Sequence, residues 1–177
     1  MKIAVFRADG SYYVKPDNTL NHNNSDYYCP EGVDLLEAVP CLYTHIDKAG
    51  KCVAERFASR YCSKFAFGCL LQDCSQGAQR AQSAAMDFTS ILDMDFSPLE
   101  SLPQSSFSVD VNGIRRFAME QGPQPDAFYS AICRITSRCS LRIGDIVALE
   151  LGSAATAKPG DTLRLGTASK QVEIKIF

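Results

Sequence analysis

Long apolar runs are missing from this 177-residue chain: no stretch approaches the roughly 20 residues that a membrane helix needs. Blocks of like charge are missing too. The 18 Lys and Arg and 20 Asp and Glu are interspersed and leave a net charge of −2, which argues against nucleic acid or an anionic membrane as the main partner. Only two histidines are present, and the eight cysteines contain no Cys-x-x-Cys. The pairs Cys69 and Cys74, and Cys133 and Cys139, are poorly spaced for zinc, so no structural metal is expected. The opening Met1–Phe6 has an apolar run too short for a secretory signal. The expected setting is therefore the cytoplasm, with reduced thiols serving mostly as small core residues.

What is there is 46% apolar residues, enough for one globular domain spanning 1–177. Its organising stretch is Leu141–Asp161, with two Gly-Asp pairs, Gly144-Asp145 and Gly160-Asp161. Glycine permits the positive φ of a tight turn, and aspartate caps turns through its side chain. Ile146–Leu149 reads as a buried strand, Thr162–Leu165 and Val172–Ile176 as alternating strands, so a C-terminal meander closing a sheet is expected.

Upstream, Lys2–Phe6 and Tyr12–Val14 read as a hairpin around Asp9-Gly10, and Asp17–Asp26 as polar loop. Gly32–Glu37 suits a helical turn or an irregular edge. Leu42–Ile46 is a strand ending in a turn at Asp47–Gly50. Phe57, Tyr61 and Phe65 recur at helical spacing, so a helix is expected over Glu55–Phe67, followed by a short buried strand at Cys69–Leu71. Gln76–Ala85 reads as loop or short helix, and the Pro- and Ser-rich 97–106 as loop. Phe107–Val111 alternates as a strand into an Asn112-Gly113 turn. The strongest helix signal covers Asp126–Cys139, with Asp126 as N-cap and Phe128, Ala131, Ile132 and Ile135 as its apolar stripe. Short strands punctuated by Gly, Pro and Asn give a mainly β (α+β) fold with a few packed helices.

This order of elements resembles the catalytic core of the fumarylacetoacetate hydrolase (FAH) family. The resemblance rests on Lys15-Pro16, the strand and turn of Val39–Lys51, the strand ending at Asn112-Gly113, the Asp126 helix, and the two Gly-Asp pairs. It implies a distorted β-roll, assembly as a homodimer, and a cleft in which carboxylates hold Mg or Ca. At the cleft, however, this chain departs from the family. The family's paired glutamates fall on Val39 and Cys41, and its aspartate on Leu70, with Asp73 three residues later as a replacement if a local insertion intervenes. The Lys-x-Phe-Asp motif becomes Ala84–Asp87, keeping Asp87 and losing the lysine to Ala84. The Thr-Gly-Thr segment becomes Leu149, Glu150 and Leu151.

Hard cations need oxygen ligands; Val39 and Leu70 offer none and Cys41 a soft sulfur, so loss of the cation and its chemistry is expected. As residue types, Val39, Leu70, Leu149 and Leu151 are ordinary core occupants, and Asp73 and Asp87 suit turn capping. Cys41 as a nucleophile would need a base; His45 shares its strand face but at roughly 13 Å along the strand. Three functions stay open: a non-catalytic module binding a small molecule or pairing with a partner, a diverged hydrolase or isomerase of acylpyruvate-like diketo acids, and a scaffold with a filled cleft.

Overall fold

The computed structural model describes residues 1–152 and 154–177. Strands β1 (Lys2–Phe6) and β2 (Tyr12–Pro16) form the opening hairpin, turned at Asp9-Gly10 as the sequence suggests. The Asn-rich segment follows as two short 3-10 turns. Two ten-residue strands come next, β3 (Leu36–His45) and β4 (Lys64–Asp73), with helix α1 (Glu55–Ala58) between them. Helix α2 (Arg80–Ser83) leads to the short strands β5 (Ser90–Ile91) and β6 (Ser97–Pro98). Strands β7 (Phe107–Val111) and β8 (Ile114–Met119) precede helix α3 (Asp126–Thr136). The chain closes through β9 (Ile146–Glu150), β10 (Ala155–Ala157), β11 (Thr162–Thr167) and β12 (Gln171–Lys175).

The large sheet runs β2-β1-β9-β3-β4-β5, with β10 also on β3 and β6 also on β4; a second sheet runs β12-β11-β7-β8. Only β1 and β9 pair in parallel among these strands. Antiparallel neighbours need only a short turn, whereas a parallel pair needs a long crossover, and here almost the whole chain lies between the partners. The sheets meet through stacked Phe67 and Phe107, whose ring centroids lie 4.9 Å apart. The mainly β architecture with few helices is the expected one.

Several expectations are corrected. The helix over Glu55–Phe67 stops after one turn at Ala58. Residues 64–67 instead open β4, because β3 supplies a partner for eight residues of that strand, 66–73. Residues 32–35 form neither helix nor strand, and β3 starts at Leu36. Pro125 takes the N-cap place of α3, so Asp126 sits in the first turn, where its charge still suits the helix dipole. The apolar stripe of α3 is fully buried as expected. The C-terminal strands do not make one meander: β9 and β10 join the large sheet, while β11 and β12 join the small one. Of the eight free cysteines only Cys41, Cys62 and Cys69 are buried.

The two Gly-Asp pairs do similar work at different depths. Asp145, nearly fully buried, accepts from the Arg142 and Lys2 amides and from Lys2 Nζ. Burial works to raise its carboxyl, but those hydrogen bonds prevail and hold it below the ordinary range. Asp161 accepts from the Lys158 amide and from Asn112 Nδ2, tying the β10–β11 turn to the β7–β8 turn.

Candidate functional site

Strand registers decide which side chains share the cleft. Val39 pairs with Leu70, Cys41 with both Gly68 and Glu150, and Glu37 with Gln72, so all of these project from one face of the large sheet. On the same face Val5 pairs with both Ala148 and Tyr13, and Ile3 with Lys15.

Half of this face is closed. Cys41, Gly68 and Tyr43 lie where Tyr43 Oη donates to the Leu92 carbonyl. A β-carbon at Gly68 would come within 2.5 Å of the Ile91 carbonyl and 2.7 Å of Leu92 Cδ2, so only glycine lets that chain segment pass. Burial, with Cys69 and Glu150 nearby, pushes the Cys41 thiol well above its ordinary value, and His45 is turned edge-on to Phe96 at 5.0 Å. A thiol so held is not a nucleophile at neutral pH.

The other half is open and polar. Two adjoining cavities of ≈ 350 and ≈ 370 Å³ share Arg7, Gln72 and Arg80. Tyr13 Oη donates to Glu150 Oε1 at 3.2 Å and accepts from Gln72 Nε2 at 2.8 Å. The Arg7 guanidinium lies 4.9 Å from the Tyr13 ring centre, a cation–π distance, and its Nε is 3.6 Å from Glu150 Oε1. That separation exceeds a hydrogen bond, and Arg7 Nε is buried with no hydrogen-bond partner. Burial, and then the Glu150 charge, raise the Tyr13 phenol far above its ordinary value, so it remains a neutral donor.

Lys15 is fully buried, and its Nζ donates to Thr89 Oγ1 at 3.1 Å. No carboxylate lies within 4 Å of it among the described residues. Burial lowers its amine to about 8, against a slight opposing pull from Cys41.

The residues singled out in the sequence come together only in part: Val39, Cys41 and Leu70 share this face, and the others lie apart. Val39 lines one cavity and Ala84 the other. Leu70 is sealed beneath the sheet contacts at 0% exposure. Asp73 pairs with Leu36 at the end of β4, and its Oδ1 accepts from the Ser75 amide, a turn cap. Asp87 is exposed and accepts from Asn18 Nδ2. Leu149 pairs with Leu42 on the opposite face, so Glu150 rather than its leucine neighbours reaches the cleft. The partly buried Leu151 is held by its amide on the Pro40 carbonyl. Among the described residues no three His, Cys, Asp or Glu side chains gather to hold a metal, and the donors at Val39, Cys41 and Leu70 do not fit a divalent cation.

Sequence reasoning missed Arg7, Tyr13, Gln72 and Arg80. They come from β2, β4, the end of β1 and α2, and no local pattern joins them. The one available signal was Glu150, a charge standing between two leucines in a strand.

No family model matches the sequence, and no curated protein matches it. Solved structures do match its fold. A Yersinia pestis CO92 protein assigned to the fumarylacetoacetate hydrolase family superposes with TM-score 0.79 at 18% identity, covering 99% of this chain and 92% of that one. Fumarylpyruvate hydrolase from Pseudomonas aeruginosa, solved with Mn2+ and pyruvate, gives 0.79 at 12% identity, covering 99% and 89%. The 5-carboxymethyl-2-hydroxymuconate delta-isomerase of Mycobacterium smegmatis gives 0.76 at 14%, covering 99% and 78%. At these identities the likeness is one of architecture: the chain has the fold of the fumarylacetoacetate hydrolase family.

Proposed function

We propose that this chain is a diverged member of that fold group which binds a small carboxylate in its cleft without a divalent cation. The observation that supports this is Arg7. Its guanidinium lies in the cleft wall, ion-paired with Glu150 at 3.6 Å, and its buried Nε makes no hydrogen bond. A buried donor that makes no hydrogen bond costs the free protein, and an anion that completes the arginine's hydrogen bonding offsets that cost. In the Pseudomonas protein Mn2+ accompanies pyruvate; in this chain a fixed guanidinium supplies positive charge, with Arg80 at the same rim and Tyr13 and Gln72 as neutral donors. Val39, Cys41 and Leu70 supply no hard oxygen donor, which supports a reading without the metal-assisted C–C cleavage of the family.

Calorimetric titration with pyruvate, run with EDTA and then with Mn2+, tests the reading. Binding should be equal in both, and Arg7→Gln should weaken it at least tenfold, about 1.4 kcal/mol. Binding that appears only with Mn2+, together with metal-dependent cleavage of an acylpyruvate, would establish the hydrolase reading instead.

Pairing of two copies is the companion proposal. It is supported by an exposed aromatic stack, Tyr28 on Phe177 at 5.0 Å, and by Ile114 at 55% exposure on the edge strand β8.

A further inference from the structure

A third cavity, of ≈ 650 Å³, lies between the β1–β2 turn and the end of α3 and is lined by Gly10, Ser11, Tyr12, Arg134, Ser137 and Arg138. It adjoins the cleft, since Ser11 and Tyr12 also line the ≈ 350 Å³ cavity. Arg134 lies in the last turn of α3, and Arg138 follows two residues beyond its end, in the turn that leaves the helix; both are exposed and line the same cavity. Neither has a carboxylate within 4 Å among the described residues.

Two like charges lining one cavity repel, and the negative end of the helix dipole offsets them only in part. The last-turn carbonyls of Cys133 and Ile135 are already taken by the amides of Ser137, Arg138 and Cys139, so the guanidinium groups are left free of the helix end. The Arg134 guanidinium lies over the turn, with Nη2 3.7 Å from the place a Gly10 β-carbon would occupy. The Tyr12 phenol, beside Arg138, has only a long contact to Cys139 Sγ at 3.9 Å. The Ser11 and Ser137 hydroxyls already donate, to Asp9 and to the Arg134 carbonyl, and so contribute acceptors rather than donors.

We infer that this cavity is an anion subsite, built by Arg134, Arg138 and Tyr12 to take the phosphate group of a small phosphorylated molecule. Two planar guanidinium forks and a phenol match the several oxygens of a phosphate dianion better than a single carboxylate. The subsite stands apart from the carboxylate site at Arg7. A ligand long enough to cross the Ser11-Tyr12 ridge engages both.

The test is an amide chemical-shift titration of the folded full chain with inorganic phosphate at neutral pH, against chloride and acetate at matched ionic strength. Saturable shifts are expected at Gly10, Ser11, Ser137 and Arg138 with phosphate and not with chloride, and weaker ones with acetate. The double variant Arg134→Gln, Arg138→Gln, at two exposed positions, should weaken phosphate binding at least tenfold, while Arg7→Gln leaves it unchanged. Shifts that chloride reproduces, that acetate matches, or that survive the double variant would overturn the subsite. So would their loss in Arg7→Gln, which would place phosphate in the carboxylate cleft.

Discussion

One face of the large sheet has two halves that differ sharply over a single pair of residues. Around Cys41, Gly68 and Tyr43 it is dry and closed; around Glu37, Gln72 and Glu150 it opens into cavities lined by arginine. Backbone pairing is continuous through both, since Glu37 to Tyr43 keep one register with β4. The strands therefore do not decide where a site forms. Side-chain volume does: Tyr43 and Leu92 fill one half, while short or flexible groups leave space in the other. Stability should accordingly reside in the dry half and ligand affinity in the polar half.

The most severe way to sharpen that contrast is Leu70→Ala. Leu70 has no exposure and sits where the halves meet, so the substitution should cost about 2–5 kcal/mol, read as a lower urea midpoint with unchanged slope. A loss below about 1 kcal/mol would mean that the half described as closed can collapse or is wet.

Lys15 breaks the pattern from within, as a cation on the dry side. Lys15→Met should stabilise the protein near pH 7 by on the order of 2–3 kcal/mol, reduced by the lost Thr89 hydrogen bond. The sign follows from the folded-state value of about 8 against an ordinary 10.5. Between those two values the unfolded chain holds the extra proton, so wild-type stability rises with pH across that window. Below about 8 the penalty is fully present. Urea titrations from pH 7 to 10 should show a slope in the wild type that the methionine variant lacks.

The smallest effect is expected in the polar half. Tyr13→Phe removes two hydrogen bonds in a partly buried cluster and should cost about 0.5–1.5 kcal/mol. A larger loss would make the cluster a structural element rather than a site.

The same division governs what could be read from the sequence. β7 and its Asn112-Gly113 turn were legible because alternation and turn chemistry act within a few residues; both turn residues take the expected positive φ, 52° and 76°. The α3 stripe was legible for the same reason. The helix expected over Glu55–Phe67 failed because the spacing of three aromatics competes with a strand partner twenty or more residues away, invisible locally. Strands β8 and β10 carried too little alternation to be noticed. The FAH-like architecture emerged from the order of turns. The cleft did not, because Tyr13 and Glu150 are separated by 137 residues and only the parallel β1–β9 pairing brings their strands together. Glu150 was read as a lost glycine position, and its role as the hub of the polar cluster lay in its partners.

That parallel pair also sets an order of events during folding. Lys2 reaches Asp145 across 143 residues, and β1 has no second neighbour until β9 exists. Closing a loop of that length is entropically costly and slow, so β3 and β4 can pair early while the β1–β2 hairpin waits unattached. On a growing chain, the strand made first would be the one docked late. The hairpin carries Arg7, Ser11, Tyr12 and Tyr13, so the walls of this cavity are brought together only when the last third of the polypeptide has arrived.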